Sequence, residues 1–314
     1  MITPAPPGSR YGNRRSALRW VKLLEGLGHR VVLSERYGGQ PCDLLVALHA
    51  TRSHAAALAY RERFPAAPLV VVLTGTDLYR DLPDDPQAQA SLGLATRLVA
   101  LHDLAGEALP AAARERLRVI VQSALPLPSG LRPLRRVVQV CVIGHLRPEK
   151  DPFRAAEAVR LLPPASRVRI VHAGGAMSPE MARRAEAEAA ANPRYRWLGD
   201  LPPWRVRRLL GRSAAMVISS RMEGGANVVS EAGAGEVPVL ASRIPGNLGL
   251  LGADHPALFG VADTAGLAAL LERIEREPPF LEALRARMAE LAPRFSPERE
   301  RAGWAALLAE LFPG

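Results

Sequence analysis

Lysine is nearly missing from this chain. Lys22 and Lys150 are the only two among 41 basic residues, the rest being arginine. With abundant alanine, this marks a GC-rich coding bias, which enriches arginine whatever the function. A formal net charge of +10 therefore says little about polyanion binding. The arginines form no tract and are spread along helical stretches such as 114–118 and 205–208. Aromatic residues, at 5%, are too sparse for a base-stacking surface. An anionic small molecule ranks well above nucleic acid as the expected partner. Cysteine is equally scarce. Cys42 and Cys141 stand apart in apolar segments, which excludes a disulfide framework or a cysteine metal site and suits a reducing cytoplasm. The histidines show no ligand spacing, so no metal is expected. No apolar run approaches the ~18 residues that span a bilayer. Met1-Ile-Thr-Pro-Ala-Pro-Pro lacks the charged and apolar regions of a signal peptide. Stable membrane association is not expected. With 48% hydrophobic and 23% charged residues, the chain is also unlike a disordered regulator.

What is present is an alternation of apolar runs and amphipathic stretches, the pattern of parallel α/β folds. A length of 314 residues predicts two domains. In the first half the pattern predicts a helix between Gly12 and Gly26, strands at 31–33, 43–48, 69–73, 98–101 and 119–121, and a helix at 52–63. Only Met1-Ile2-Thr3 precede the proline-rich turn, against about five residues in a usual strand. Either the first strand is very short or the true start lies upstream. The stretch Leu125 to Pro133 holds three prolines and a glycine, which break helix and strand alike, and is read as an interdomain linker. Beyond it the pattern predicts strands at 137–143, 168–171, 214–219 and 237–241. Helices are predicted at 152–162, 179–191, 227–234, 264–275, 280–291 and 297–311. The expected domains are residues 1–130 and 131–296, with a C-terminal helix at 297–314 that crosses back to the first. Two such domains imply a cleft, with ligands beyond the carboxyl ends of the strands.

The loops after strands carry the candidate chemistry. The first is Arg221-Met-Glu223-Gly224-Gly225-Ala226-Asn227-Val228-Val-Ser-Glu231. Gly224 and Gly225 let a ligand approach the backbone. The helix start near Asn227 offers N–H groups to an anion. Glu223 and Glu231 then present carboxylates to donors such as sugar hydroxyls. A sugar joined to a phosphate suits this arrangement; an ordinary N-cap with a solvated glutamate is the plain alternative. The second is Gly144-His145-Leu146-Arg147-Pro148-Glu149-Lys150-Asp151-Pro152. Asp151 reads as an N-cap and Pro152 as the first helical residue. That would put Lys150 at a helix N-terminus, where its compact ammonium suits a pyrophosphate oxygen. A third is the loop from Pro4 to Arg14, with Gly12, Asn13 and Arg14, which is neither a Walker loop nor G-x-G-x-x-G. A fourth follows the strand at 69–73, with Thr74, Thr76, Asp77 and Arg80. His49 follows the strand at 43–48 and is better placed for a ligand than His29, His172 or His255. Trp197 and Leu198 suggest a base pocket.

Glu223 and Glu231 resemble the E-x7-E motif of GT-B glycosyltransferases of the family-4 type. Ala234-Gly-Glu-Val-Pro-Val239 resembles that motif's following strand, and Gly144 to Lys150 the donor-diphosphate motif, with His145 where the family has arginine. The fold implied is GT-B, two Rossmann-like doubly wound domains facing a central cleft. By that resemblance Glu231 binds the donor ribose, Glu223 the hydroxyls of the transferred sugar, and Lys150 the diphosphate, with Arg147 as a substitute for the missing arginine. The amides from Gly224 to Val228 contact sugar or phosphate. The segments TPAPPGSRYGNRRSALRW, GQPCDLLVALHATRSHA, LTGTDLYRD, SSRMEGGANVVSEA and SRIPGNLGLLG resemble a narrower branch, the selenosugar synthases of selenoneine biosynthesis. That likeness implies a UDP-sugar donor, UDP-N-acetylglucosamine, and selenophosphate as nucleophile. It also implies a partner enzyme that passes the selenium to hercynine. Such an acceptor needs arginines rather than a strong base. Arg10, Arg14, Arg52, Arg80 and Arg221 are the candidates, Arg14 and Arg80 first. The rival readings are a conventional family-4 transferase acting on a hydroxyl acceptor, a nucleotide-sugar-binding regulator without turnover, and nucleic-acid binding.

Overall fold

The computed structural model describes residues 1–9 and 11–313, so the candidate Arg10 lies outside the described residues. In chain order the elements begin with α1 (Gly12–Glu25), β1 (Leu45–Leu48), α2 (His54–Arg63), β2 (Leu69–Val72), α3 (Pro86–Leu94), β3 (Arg97–Ala100), α4 (Ala111–Arg114) and β4 (Leu117–Val119). There follow β5 (Val138–Ile143), α5 (Arg154–Arg160), β6 (Val168–Ala173), α6 (Pro179–Ala191), β7 (Tyr195–Trp197), α7 (Pro203–Gly211), β8 (Ala215–Ile218) and α8 (Asn227–Ala234). The chain ends with β9 (Val239–Ser242), α9 (Pro245–Leu251), β10 (Leu258–Phe259), α10 (Thr264–Arg276), α11 (Pro278–Leu291) and α12 (Pro297–Leu311). It divides into two compact units. One comprises Met1–Gln122, Glu223–Asn227 and the stretch from Pro297, the other Ser123–Met222 and Val228–Ser296.

The first unit is built on a parallel sheet of order β1-β2-β3-β4. Its strands read LVAL and LVVV because both faces are covered. Leu45, Leu69 and Val71 pack with Tyr60 of α2 on one face. Val46, Val70 and Val72 pack with Trp20 of α1 and Trp304 of α12 on the other. The predicted strand at 31–33 is not formed. Only Ser34 pairs, in a single parallel bridge to Ile2, which also bridges Ala47. Val31 and Leu33 pack on the core of the Trp20 face, while Val32 is 58% exposed and its carbonyl accepts from the Met1 amino group at 2.8 Å. Counting these bridges, the chain order across the sheet runs 2-1-3-4-5-6. The switch point falls between Ile2 and β1.

The second unit carries a parallel sheet of order β10-β9-β8-β5-β6-β7. Read in chain order this is 3-2-1-4-5-6, with its switch point between β5 and β8. Its core joins Val140 and Val142 of β5 to Ala155 and Val159 of α5 and to Leu267 and Leu271 of α10. The predicted helix start at Asp151-Pro152 is displaced. Pro148–Lys150 forms a single 3-10 turn, Asp151 takes a left-handed conformation at φ +43°, and α5 begins only at Arg154. The Asp151 carboxylate accepts from Arg154 Nε at 2.9 Å instead of capping amides. α7 contains the helical stretch expected at 205–208, whereas at 114–118 α4 ends at Arg114 and the chain enters β4 at Leu117. α3 and α9 are helices that the sequence pattern did not single out. α9 is buried nearly all round, so it has no polar face to give it a period.

Candidate active site

In the second unit, the switch point directs attention to the loops leaving β5 and β8. The first is anchored from beneath by His172. Its Nε2 donates to the Gly144 carbonyl at 3.0 Å, so Nδ1 is free to accept from the Tyr195 hydroxyl at 3.1 Å. Both nitrogens are used with the ring neutral, and burial pushes the pKa down to about 4. Gly174 passes so close above that a Cβ on it would stand 1.8 Å from the Gly144 oxygen. Leu146 donates its N–H to Gly175 at 2.9 Å. The two loops are then stitched together. Arg221 N donates to the Glu149 carbonyl at 2.8 Å, and Ser219 Oγ contacts the carbonyls of Lys150 and Asp151 at 3.3 and 2.9 Å.

On this frame Arg147 holds its Nε buried with no hydrogen-bond acceptor among the described residues, and its guanidinium forms no ion pair there. Arg221 is exposed. Lys150 sits on the 3-10 turn Pro148–Lys150 rather than at the N-terminus of α5, which begins at Arg154. Glu231, 7% exposed, lies on α8, and Val228 is half-buried on the same helix. His145 Nδ1 lies 3.6 Å from the place a Gly175 Cβ would take. Trp197 gives its indole N–H to the Gly174 carbonyl at 2.8 Å and packs with Leu146 and Phe153. Leu198 is tied to the His172 carbonyl at 2.8 Å. Trp197 thus braces the β5 loop, while Leu198 pairs with β6. A separate cavity of about 330 Å³ lies under the proline-rich stretch, between Leu127, Leu131, Ala214 and Pro238. It sits at the amino ends of β8 and β9, away from these loops.

The His172 geometry carries a pH prediction. The imidazole has its ordinary value of about 6.5 in the unfolded chain and a much lower one in the fold. Its contribution is complete above pH 6.5 and is lost as pH falls toward 4, because the unfolded chain takes up a proton that the fold refuses. The loss from this residue is about 3 kcal/mol. Burial also lowers the pKa values of His49 and His255, which act in the same sense. Urea midpoints measured between pH 7.5 and 5 should fall, and less steeply in His172→Gln. An equal slope in that variant would assign the loss elsewhere.

The first unit gathers a second group of candidates around its own switch point. Asp77 is fully buried. It accepts from the amides of Ala50 (2.9 Å), Thr74 (2.8 Å) and Gly75 (2.7 Å). The loops after β1 and β2 are thereby bound to one carboxylate, and a turn of π-helix over Asp77–Asp81 follows. His49, at φ +75°, accepts the Arg52 amide on Nδ1 at 3.3 Å. Its proton is thus on Nε2, which donates to Thr76 Oγ1 at 3.0 Å. Asn13 of α1 donates to Thr74 Oγ1 at 3.4 Å. Arg80 is engaged by Asp81 at 2.8 Å. Arg14 forms no ion pair among the described residues, and its buried Nε finds no acceptor there.

Glu223–Asn227 belongs to this unit too. Gly224 packs directly on Gly75: a Cβ on it would lie 2.4 Å from the Gly75 nitrogen. Gln122 Nε2 donates to the Gly225 carbonyl at 2.9 Å, and Arg19 Nη1 to Asn227 Oδ1 at 2.8 Å. Ala226 is buried beside them, Glu223 is 8% exposed, and a Cβ on Gly12 would stand 3.9 Å from Asn227 Nδ2. Arg19, Gln122 and Glu300 were not among the sequence candidates. The signal for Glu300 was available. Its spacing from Trp304, Leu307 and Leu308 puts an acid on the buried stripe of a helix.

Two parallel α/β units, each with its candidate loops at a switch point, define the GT-B class of transferase fold. The chain belongs to the family of glycosyl transferases group 1, whose model matches residues 136–295. No curated protein sequence matches it. Among solved structures, HepE (Alr3699) of Anabaena in complex with UDP-glucose is similar with a TM-score of 0.75 at 14% identity, covering 99% of this chain and 98% of that one. The same protein with UDP gives a TM-score of 0.71 at 16% identity, covering 98% and 85%. Sucrose-phosphate synthase (tll1590) from Thermosynechococcus elongatus gives 0.73 at 17%, covering 86% and 74%. These likenesses carry the fold. Among the described residues no group of three or more His, Cys, Asp or Glu could hold a metal ion. Nor is any helix there long and apolar enough to cross a membrane.

Proposed function

We propose that this chain is a UDP-sugar-dependent glycosyltransferase that moves N-acetylglucosamine to the selenium of selenophosphate. The C1–oxygen bond to UDP breaks and a C1–selenium bond forms. Water then takes the phosphoryl group, leaving a 1-selenosugar and phosphate for a later enzyme that uses the selenium. Family membership and the UDP and UDP-glucose complexes of the Anabaena neighbour support the donor. Glu231 receives the ribose hydroxyls and Glu223 those of the sugar. Arg147 and Lys150 balance the charge that grows on the leaving diphosphate. The narrower sequence likeness supports the acceptor.

One observation carries the choice of acceptor. Asp77 and His49 are already engaged, while Arg14 pairs with no carboxylate among the described residues. The Asp77 oxygens are filled by backbone amides, and both His49 nitrogens are occupied with the ring neutral. A sugar or lipid hydroxyl would need a free base. Selenophosphate arrives ionised and nucleophilic, and the Arg14 guanidinium, without an ion pair among the described residues, suits it.

The test is mass spectrometry of the purified protein with UDP-N-acetylglucosamine, with and without enzymatically generated selenophosphate. The expected product carries the selenium isotope pattern, forms with stoichiometric UDP and falls by at least about tenfold in Glu231→Ala and Lys150→Ala. Arg14→Ala should raise the acceptor KM by about tenfold. Arg80→Ala, whose guanidinium is held by Asp81, should change it less. Transfer to a hydroxyl acceptor only, or UDP binding without turnover, would replace the selenium reading. No UDP binding at all would remove the donor reading as well.

A further inference from the structure

Helix α12 buries a charge where an apolar residue would complete its stripe. The Glu300 side chain is 0% exposed, in line with buried Trp304, Leu307 and Leu308. Its Oε1 accepts from Trp20 Nε1 at 2.6 Å, and both oxygens accept from Arg19 Nε, at 3.2 and 3.0 Å. The rest of the Arg19 fork faces the other way. Nη1 donates to Asn227 Oδ1 at 2.8 Å and Nη2 to Gln122 Oε1. Gln122 passes the constraint on through Nε2 to the Gly225 carbonyl at 2.9 Å. Ser16 closes the ring, donating to Gln122 Oε1 at 2.5 Å and accepting from Asn227 Nδ2 at 3.3 Å.

A buried ion pair adds little stability over a well-packed apolar pair, and its best-attested use is to fix geometry. An arginine fork is rigid and planar, so fixing one edge aims the other. We propose that Glu300 and Arg19 are positioning residues for the segment Glu223–Asn227. The carboxylate sets the plane of the guanidinium. The guanidinium and Gln122 then hold the Asn227 side chain and the Gly225 carbonyl in place. This rests on the reading of that segment as the sugar-binding loop. Neither residue bonds the ligand; the pair acts on the rate by keeping Glu223 and the neighbouring amides in register with the transferred sugar.

The experiment compares the full chain with Arg19→Lys, Glu300→Gln and the double variant Arg19→Leu/Glu300→Leu, which keeps the packing without the network. Three readouts are needed: kcat and KM for UDP-N-acetylglucosamine, UDP affinity by calorimetry, and hydrogen–deuterium exchange along the chain. We expect kcat to fall by about 10- to 100-fold, with KM and UDP affinity within about threefold. Amides of residues 223–228 should exchange about tenfold faster, while α1 and α12 keep their protection. Unchanged exchange in that segment overturns the proposal. So does equal loss of protection through α1 and α12, which would make the pair merely structural. A wild-type chain that transfers no sugar removes the functional reading, and the exchange result still decides whether the network positions the segment.

Discussion

Gly174→Ala should destabilise the second unit by more than about 3 kcal/mol and lower its thermal midpoint by roughly 5–10 °C. The reason is local and rigid. The added Cβ would meet the Gly144 oxygen at 1.8 Å, the Gly144 carbonyl carbon at 2.4 Å and the His145 nitrogen at 2.9 Å. All three are backbone atoms, so no side chain can rotate away. Gly174 itself is not free to retreat. Its N–H donates to the Gly199 carbonyl at 2.8 Å, and its own carbonyl accepts the Trp197 indole at 2.8 Å. Relief must come from Gly144, and His172 holds Gly144 from beneath. Any shift then runs directly into Arg147 and Lys150, and on their proposed role at the diphosphate UDP affinity should fall by about tenfold or more, as expected when charge-assisted contacts are misplaced. Gly130→Ala is the control. It also has a positive φ, +78°, but nothing lies within 4 Å of its Cβ position, so only the backbone penalty of about 1–2 kcal/mol applies. Scanning calorimetry and UDP titration on both variants separate the two contributions. Equal midpoints would mean that the β5 loop yields freely, and the account of how it is held would fail.

The contrast between those two glycines bears on what the sequence could and could not reveal. Runs such as LVAL and LVVV announce strands covered on both faces, and α6, α8 and α12 occupy the ranges that the pattern predicts. The strand at 31–33 looked no different, but the bridge there falls one residue beyond it, at Ser34 opposite Ile2. Asp151-Pro152 satisfied the local rule for a helix start. Arg154 competed for the carboxylate and won, and the chain turned left-handed instead. The E-x7-E pair shows a different limit. The spacing puts Glu223 on a loop and Glu231 on the helix that follows; the structure assigns Glu223 to one compact unit and Glu231 to the other. No local pattern marks that division. The arginines of the post-strand loops were alike in sequence. Their ion pairs tell them apart, with Arg80 engaged by Asp81 and Arg14 without such a partner among the described residues.

Asp77→Ala should destabilise the first unit by roughly 3–5 kcal/mol, because three buried amides lose their acceptor at once. Ala50 N, Thr74 N and Gly75 N all converge on this carboxylate, at 2.9, 2.8 and 2.7 Å, and Thr74 Oγ1 adds a contact at 3.2 Å. No water replaces a fully buried acceptor without room being made for it. Asp77→Asn should not rescue the loop. Its single carbonyl oxygen can serve one side, while its NH2 group turns a donor toward donors. Asp85→Ala gives the scale for an ordinary case. Asp85 caps α3 by accepting from Gln87 N and Ala88 N, and its loss should cost only about 1 kcal/mol. The functional consequence follows from what Asp77 joins. Ala50 follows β1 and Thr74 follows β2, so the carboxylate ties together the loops that carry His49 and Thr76. Untied, the His49–Thr76 bond of 3.0 Å loses its support, and the acceptor KM should rise by about tenfold or more in the fraction that stays folded. Urea unfolding of all three variants, with acceptor kinetics below the unfolding transition, tests both halves. If Asp77→Asn kept the wild-type midpoint and acceptor KM, neither the carboxylate's charge nor its second oxygen would be organising the loop.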